Sequence, residues 1–313
     1  MNLEKFKGIF PPVPTIVDKE GNLDKKGMAN LLDHLIDNEA DGVLILGSGG
    51  EFCHMQPKLR LEVAEFAVKH INKRIPVMIG ISSPSTKETI EYGQHASQIG
   101  ADAVLVVNPY YALLNSDAIY HHYKTVAENI DIPILLYNFP ALTGQDIGID
   151  VITRLAKELP NIIGLKDTID NISHTREVIN QVHAFRPDFI IFSGFDEYML
   201  DTLILGGHGG IPATFNFAPK ITKGIYKAFI KKDYEKAFKL QRQLAKLMPI
   251  YAIESPFFGV IKQAIKLTGV DISTEVLAPV MPLTSDKKKI LKKLLSDSKF
   301  YKNLLLISFR SKL

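Results

Sequence analysis

This chain of 313 residues has one cysteine, a net charge of only +3, and no apolar run near the ~20 residues that a bilayer span needs. Each shortage excludes something. A lone Cys53 cannot form an internal disulfide, and the opening MNLEKFKGIF lacks the long apolar core of a signal peptide, so a cytosolic setting is expected. With 37 basic against 34 acidic residues, no strong grip on nucleic acid is implied, and no membrane partner is expected. The nine histidines show neither His-x-His nor His-Glu-x-x-His spacing, so no metal is expected. Cys53 beside His54 reads as a half-buried packing cysteine rather than a thiol with its base. Nucleotide fingerprints are missing too. The loop Gly47-Ser48-Gly49-Gly50-Glu51-Phe52 puts an aromatic where a dinucleotide fingerprint needs its third glycine, and no Lys-Ser or Lys-Thr closes it as a P-loop. An anion smaller than a nucleotide still fits.

What is present is a repeat. Short β-branched runs begin near Ile9, Gly42, Pro76, Ala103, Pro133, Ile162, Phe189 and Gly209, and segments with helical apolar spacing separate most of them. Continuous apolar strands are buried on both faces and alternating helices cover them, so the sheet should be parallel. Eight such units predict an α/β fold, a (β/α)8 TIM barrel over residues 1–218, with a C-terminal helical extension over 219–298 packed on it. A doubly wound open sheet is the other option, without its fingerprint. The role of the apolar and basic tail 299–313 is not legible. The lysine-rich segment from Lys287 to Lys293 interleaves with Ile290, Leu291, Leu294 and Leu295, as expected of a solvated helix packed on the barrel.

In such a barrel the site gathers at the C-terminal ends of the strands. Lys166 ends the apolar run NIIGLK, where a further apolar residue would have been the stable choice. By alternation Ile162, Gly164 and Lys166 share one face, which points the lysine into the barrel with Gly164 leaving room beneath it. Desolvation favours the neutral form of a buried amine, which can attack a ketone; the imine formed is an electron sink for making or breaking a C–C bond. The alternative is a structural pair with Asp167 or Asp170. Tyr137 ends the neighbouring strand on the face shared with Pro133 and Leu135, and its phenol suits a proton shuttle. Tyr110 and Tyr111 lie at the same rim. Backbone N–H groups of the glycine loop, with the Ser48 hydroxyl, suit the carboxylate of a 2-keto acid. Asp196 and Glu197, after the seventh strand, are candidates for binding polyol hydroxyls.

The motifs GSGGE, NPYY, YNFPALTG, GLKDT and GGHGGIPATFN stand in an order and spacing that resembles the N-acetylneuraminate lyase and dihydrodipicolinate synthase superfamily of pyruvate-dependent class I aldolases. The resemblance runs from Phe10 to about Leu283. It implies that Lys166 forms the Schiff base with pyruvate, that Tyr137 is the central acid/base, and that Ser48 with the Gly49 backbone holds the carboxylate. Tyr111 would enter a neighbouring subunit's site to complete a relay through Ser48 and Tyr137, in a homotetramer built as a dimer of dimers. No cofactor beyond the covalent imine is implied. Gly47, Ser48, Gly49, Gly194, Asp196, Glu197 and Ile211 are the candidate substrate contacts. Leu142 stands where the dihydrodipicolinate synthases carry a carboxylate-gripping arginine, and Ala213 where sialate lyases usually carry a serine. The combination is most similar to 2-keto-3-deoxygluconate aldolases, which yield pyruvate and glyceraldehyde. Dihydrodipicolinate synthase, N-acetylneuraminate lyase and a noncatalytic pyruvate-binding descendant are the alternatives.

Overall fold

The structure, a computed structural model, describes residues 3–298. Eight strands, β1 (Gly8–Ile9), β2 (Val43–Ile45), β3 (Val77–Gly80), β4 (Ala103–Val107), β5 (Ile134–Asn138), β6 (Ile162–Asp167), β7 (Ile190–Ser193) and β8 (Gly209–Gly210), form one parallel sheet in the order β1-β8-β7-β6-β5-β4-β3-β2. Every residue in these strands is buried, as expected of a sheet with helices outside and packed side chains within. The last seam joins the segment after β1 to β2. Pro11, Pro12 and Pro14 have no N–H to donate there, so the closure rests on a Pro12–Leu44 bridge, on Leu44 N–H to the Pro11 carbonyl at 3.0 Å, and on Val13 N–H to the Leu44 carbonyl at 2.8 Å.

Helices Lys25–Asp37, Pro57–Ile71, Thr86–Gln98, Ser116–Glu128, Ile149–Glu158, Ile172–His183 and Met199–Ile204 connect successive strands. Several are started by a side-chain oxygen that accepts an N–H of the first turn: Asp24, Ser85, Asn115 and Asn171. The eighth barrel helix is Pro219–Ile230, which buries Ile221, Ile225 and Ala228. It also sets Lys223 Nζ 2.6 Å from Asp41 Oδ2, the oxygen that accepts the Ile9 N–H at 2.7 Å. The barrel therefore runs past the boundary expected at residue 218, and the extension begins with the helix Tyr234–Ala245, capped by Asp233. Sequence periodicity offered no means of telling an eighth barrel helix from the first helix of an extension.

Two helices complete the extension, Phe258–Leu267 and Ser285–Asp297. The second turns Leu291 and Leu295 inward and leaves most of its lysines exposed; Lys287 pairs with Glu254. The tail 299–313 lies outside the described residues. Among the described residues no helix is long and apolar enough to cross a membrane.

Candidate active site

In register, Tyr137 of β5 pairs with Lys166 of β6 and Asn138 with Asp167. Residues paired across adjacent strands face the same way, so Tyr137 and Lys166 enter the barrel together while Asn138 and Asp167 turn to the helices. Lys166 is buried, with Nζ 4.2 Å from the centroid of the Tyr137 ring. Among the described residues no carboxylate comes within salt-bridge distance of that nitrogen. Asp167 is otherwise engaged: it accepts from Asn138 Nδ2 at 3.0 Å and Thr175 Oγ1 at 2.7 Å, and lies 2.9 Å from His174 Nδ1. Asp170 is taken by the Tyr198 hydroxyl. The structural pairing of Lys166 is thereby excluded.

Ile162 does not stand in simple alternation with Lys166. A bulge at Ile163 sets Ile162 opposite Ile134 but Gly164 opposite Leu135, so the side on which Ile162 lies does not predict that of Lys166. Nor does Gly164 leave space for the lysine. A Cβ there would stand 2.5 Å from the Ile190 carbonyl oxygen, so its smallness admits the β7 backbone.

The Asp167–His174 contact has a pH consequence. Burial disfavours the charged imidazole, but the hydrogen bond and charge of Asp167 outweigh it, and the His174 pKa is raised above 6.5. Because the folded value exceeds the unfolded one, the stability gained is fully present below about pH 6.5 and fades as pH climbs through the folded value. Thermal midpoints of wild type and His174→Gln should therefore differ by a few degrees (~2–4 °C per kcal/mol) near pH 5.5 and converge toward about pH 8.5. A gap that widens with pH would rule out this coupling.

After β2 the chain reverses through Leu46, at φ 59°, into a short 3-10 turn, Ser48–Gly50, and leaves through Glu51, at φ 62°. Gly80 makes the reversal possible, since a Cβ there would stand 2.1 Å from the Leu46 carbonyl oxygen. Ser48 Oγ and Tyr137 Oη share a hydrogen bond at 3.2 Å. The N–H groups of Gly50 and Glu51 are spent on Gly47 and Ser48 carbonyls. Those of Ser48 and Gly49, first in the turn, have no acceptor among the described residues, and so remain for an anion.

Lys166, Tyr137, Ser48 and Gly49 line one cavity of about 390 Å³, closed on its other side by Gly194, Asp196, Glu197 and Ile211. Gly47 does not line it; a Cβ there would stand 3.0 Å from Leu44 Cδ2. Asp196, expected to meet polyol hydroxyls, is turned to protein donors instead. Its Oδ1 accepts the N–H and hydroxyl of Thr214 and its Oδ2 the Tyr251 hydroxyl at 2.6 Å, so the carboxylate is already committed. Burial raises its pKa despite those donors. Glu197 is half-buried; burial, then the charges of Asp196 and Asp170, raise its carboxyl pKa, and it remains the freer of the two for a hydroxylated ligand.

Sequence reasoning missed several wall residues. Thr168, two residues beyond Lys166 on the same alternation, has a buried hydroxyl with no partner among the described residues, and period-two counting would have found it. The same hydroxyl explains Gly194, where a Cβ would fall 1.7 Å from it. Met248, Tyr251 and Phe257 come from the extension, on segments without periodicity. Phe257 packs edge-on against Tyr251, ring centroids 5.2 Å apart, and lies over Gly49.

Tyr111 does not reach the cavity of its own chain. It is fully exposed, on the loop after β4 at φ 77°, with Leu113 and Leu142 also exposed. Cys53 opens to an adjoining cavity of about 260 Å³ lined also by Ser48, Tyr110, Phe139 and Leu142. Leu142 thus faces the neighbouring cavity and not the one holding Lys166. Among the described residues lining the latter, Lys166 is the only basic side chain.

Comparison with known proteins gives the same outline. Two Escherichia coli K12 proteins are similar over most of their length. YjhH, provisionally named a 2-dehydro-3-deoxy-D-pentonate aldolase, is 42% identical over 91% of this chain and 95% of its own. YagE, provisionally named a 2-dehydro-3-deoxy-D-gluconate aldolase, is 43% identical over 94% and 97%. The crystal structure of YagE in complex with pyruvate superposes with a TM-score of 0.93 over 94% of this chain and 99% of that one. The model of the dihydrodipicolinate synthetase family matches residues 5–298, and the chain belongs to that family.

Proposed function

We propose that this protein is a class I aldolase that cleaves a 2-keto-3-deoxy sugar acid, such as 2-keto-3-deoxygluconate, into pyruvate and an aldehyde, glyceraldehyde in that case. The observation that carries the reading is the buried Lys166 amine against Tyr137, itself hydrogen-bonded to Ser48, in one cavity. The Lys166 nitrogen adds to the ketone and water leaves, giving an iminium. Tyr137, hydrogen-bonded to Ser48, gives its proton to the departing water, and the phenolate so formed takes the proton of the C4 hydroxyl as the C3–C4 bond breaks and its electron pair moves into the iminium, releasing aldehyde and leaving an enamine. Protonation at C3 and hydrolysis then free pyruvate and the amine. No further cofactor enters, because the imine is the electron sink.

The chemistry of the walls supports a polyol partner. An aldehyde with its own carboxylate would find no guanidinium to hold it, whereas Glu197 and the unpartnered Thr168 hydroxyl offer hydrogen bonds to neutral hydroxyls. Names of similar proteins agree with this class: 2-dehydro-3-deoxy pentonate and gluconate acids. The test is pyruvate release from a panel of 2-keto-3-deoxy sugar acids and sialic acid, with aspartate semialdehyde plus pyruvate in the condensing direction. Turnover only in the last arm would overturn the reading. Tyr137→Phe should lower kcat about 10²–10³-fold while changing pyruvate labelling of Lys166 much less, since the proton shuttle goes and the amine stays. Quench-flow labelling beside steady-state rates separates the two.

We also infer a cytosolic homotetramer, a dimer of dimers. The free Cys53 fits a reducing compartment, and the outward Tyr111, held in a left-handed conformation beside exposed Leu113, suits insertion into a second copy's site. Sedimentation equilibrium tests the assembly.

A further inference from the structure

Glu51 directly follows the Ser48–Gly50 turn, and its side chain is wholly buried together with that of Lys262. Glu51 Oε1 lies 2.5 Å from Lys262 Nζ, and Oε2 accepts the Leu277 N–H at 2.8 Å. Lys262 Nζ also donates to the Glu275 carbonyl at 2.7 Å. All three partners belong to the extension: Lys262 to the helix Phe258–Leu267, Glu275 and Leu277 to the segment after it. On the barrel side, the Thr15 hydroxyl donates to the Gly50 carbonyl at 2.8 Å. Glu51 itself keeps φ at 62°, a conformation that residues with a Cβ hold only where their surroundings fix them.

A buried ion pair is a poor source of stability, because both groups lose hydration and an apolar pair of the same volume often does as well. What it does supply is direction. One short contact between two dry charges, with the remaining oxygen on a backbone N–H, allows Glu51 very few positions, and the turn before it moves with it. A rotation about the Glu51 backbone would shift Ser48 Oγ and the two free N–H groups relative to Lys166.

We propose that Lys262 is a positioning residue for catalysis, acting through Glu51 to hold the Ser48–Gly49 turn in register with Lys166 and Tyr137. The extension is then a working part of the site and not a buttress. This rests on reading that turn as the keto-acid carboxylate cradle. Apart from the strut, Met248, Tyr251 and Phe257 also reach the cavity from the extension, and Phe257 covers Gly49.

The test is the pyruvate concentration giving half-maximal borohydride-trapped adduct on Lys166. In the double variant Glu51→Gln/Lys262→Met neither charge is left alone, and the amide oxygen of the substituted side chain replaces the carboxylate as acceptor for the Leu277 N–H. That concentration should rise about tenfold at an unchanged maximal extent of labelling, the thermal unfolding remaining cooperative. Should the double variant not fold, Thr15→Val, which removes the bond to Gly50 from the other side, should raise the same concentration several-fold. Folded variants that label at the wild-type concentration would overturn the proposal. Wild type that takes no label at Lys166 would instead overturn the functional reading, and the proposal with it.

Discussion

Replacing Lys166 with methionine should abolish borohydride-trapped pyruvate and lower kcat by about four orders of magnitude or more, while the protein stays folded. The loss is large because a nucleophile has no substitute: without the amine there is no imine, and without the imine no acceptor for the electrons of the breaking bond. Retained folding discriminates more sharply than lost activity. A lysine that served structure through an ion pair would leave a buried carboxylate uncompensated when removed, at about 3–5 kcal/mol. Lys166 leaves none, because Asp167 and Asp170 have their own partners and its nitrogen lies over the Tyr137 ring, 4.2 Å from the centroid. The variant should therefore match or exceed wild-type stability, since a thioether is at ease where an amine had to be desolvated. Denaturant midpoints with mass spectrometry of the reduced adduct check both halves. An inactive variant that is also strongly destabilised would show that Lys166 supports the fold through contacts other than those two carboxylates.

The barrel was legible because its signals are local. Each strand is a short β-branched run, each helix has its own apolar period, and the strand-terminal lysine and tyrosine break those patterns where a side chain must do something other than pack. The register that pairs Tyr137 with Lys166 across neighbouring strands is visible only in the fold. What escaped was set by contacts distant in sequence. The bulge at Ile163 depends on how β6 lies against β5, and the need for Gly164 on how closely β7 approaches. Asp196 read as a rim carboxylate because nothing near it in sequence reveals Thr214 or Tyr251. The motif GSGGE drew attention to its glycines and serine, yet its glutamate ties the turn to Lys262 and Leu277, more than two hundred residues away. A carboxylate after a glycine turn is ordinary in sequence; only its complete burial marks it.

That burial sets up the second large effect. Lys262→Met alone should lose about 3–5 kcal/mol of stability, the usual result of stripping one partner from a dry ion pair, and Glu51→Gln alone should lose a similar amount. In the double variant most of the loss should return, because the cost lies in the charge left behind and not in the missing attraction. Burial already pulls the Lys262 pKa below its ordinary value against the opposing charge of Glu51, so desolvation costs this ammonium more than its partner's charge returns. Urea midpoints of the four proteins form the cycle, and a double variant as unstable as the sum of the singles would show that the contact is stabilising in its own right. If stability returns while the pyruvate concentration for labelling stays raised, the two consequences of the strut separate. An arrangement that stability alone would not favour is then accounted for by the place at which it holds Ser48.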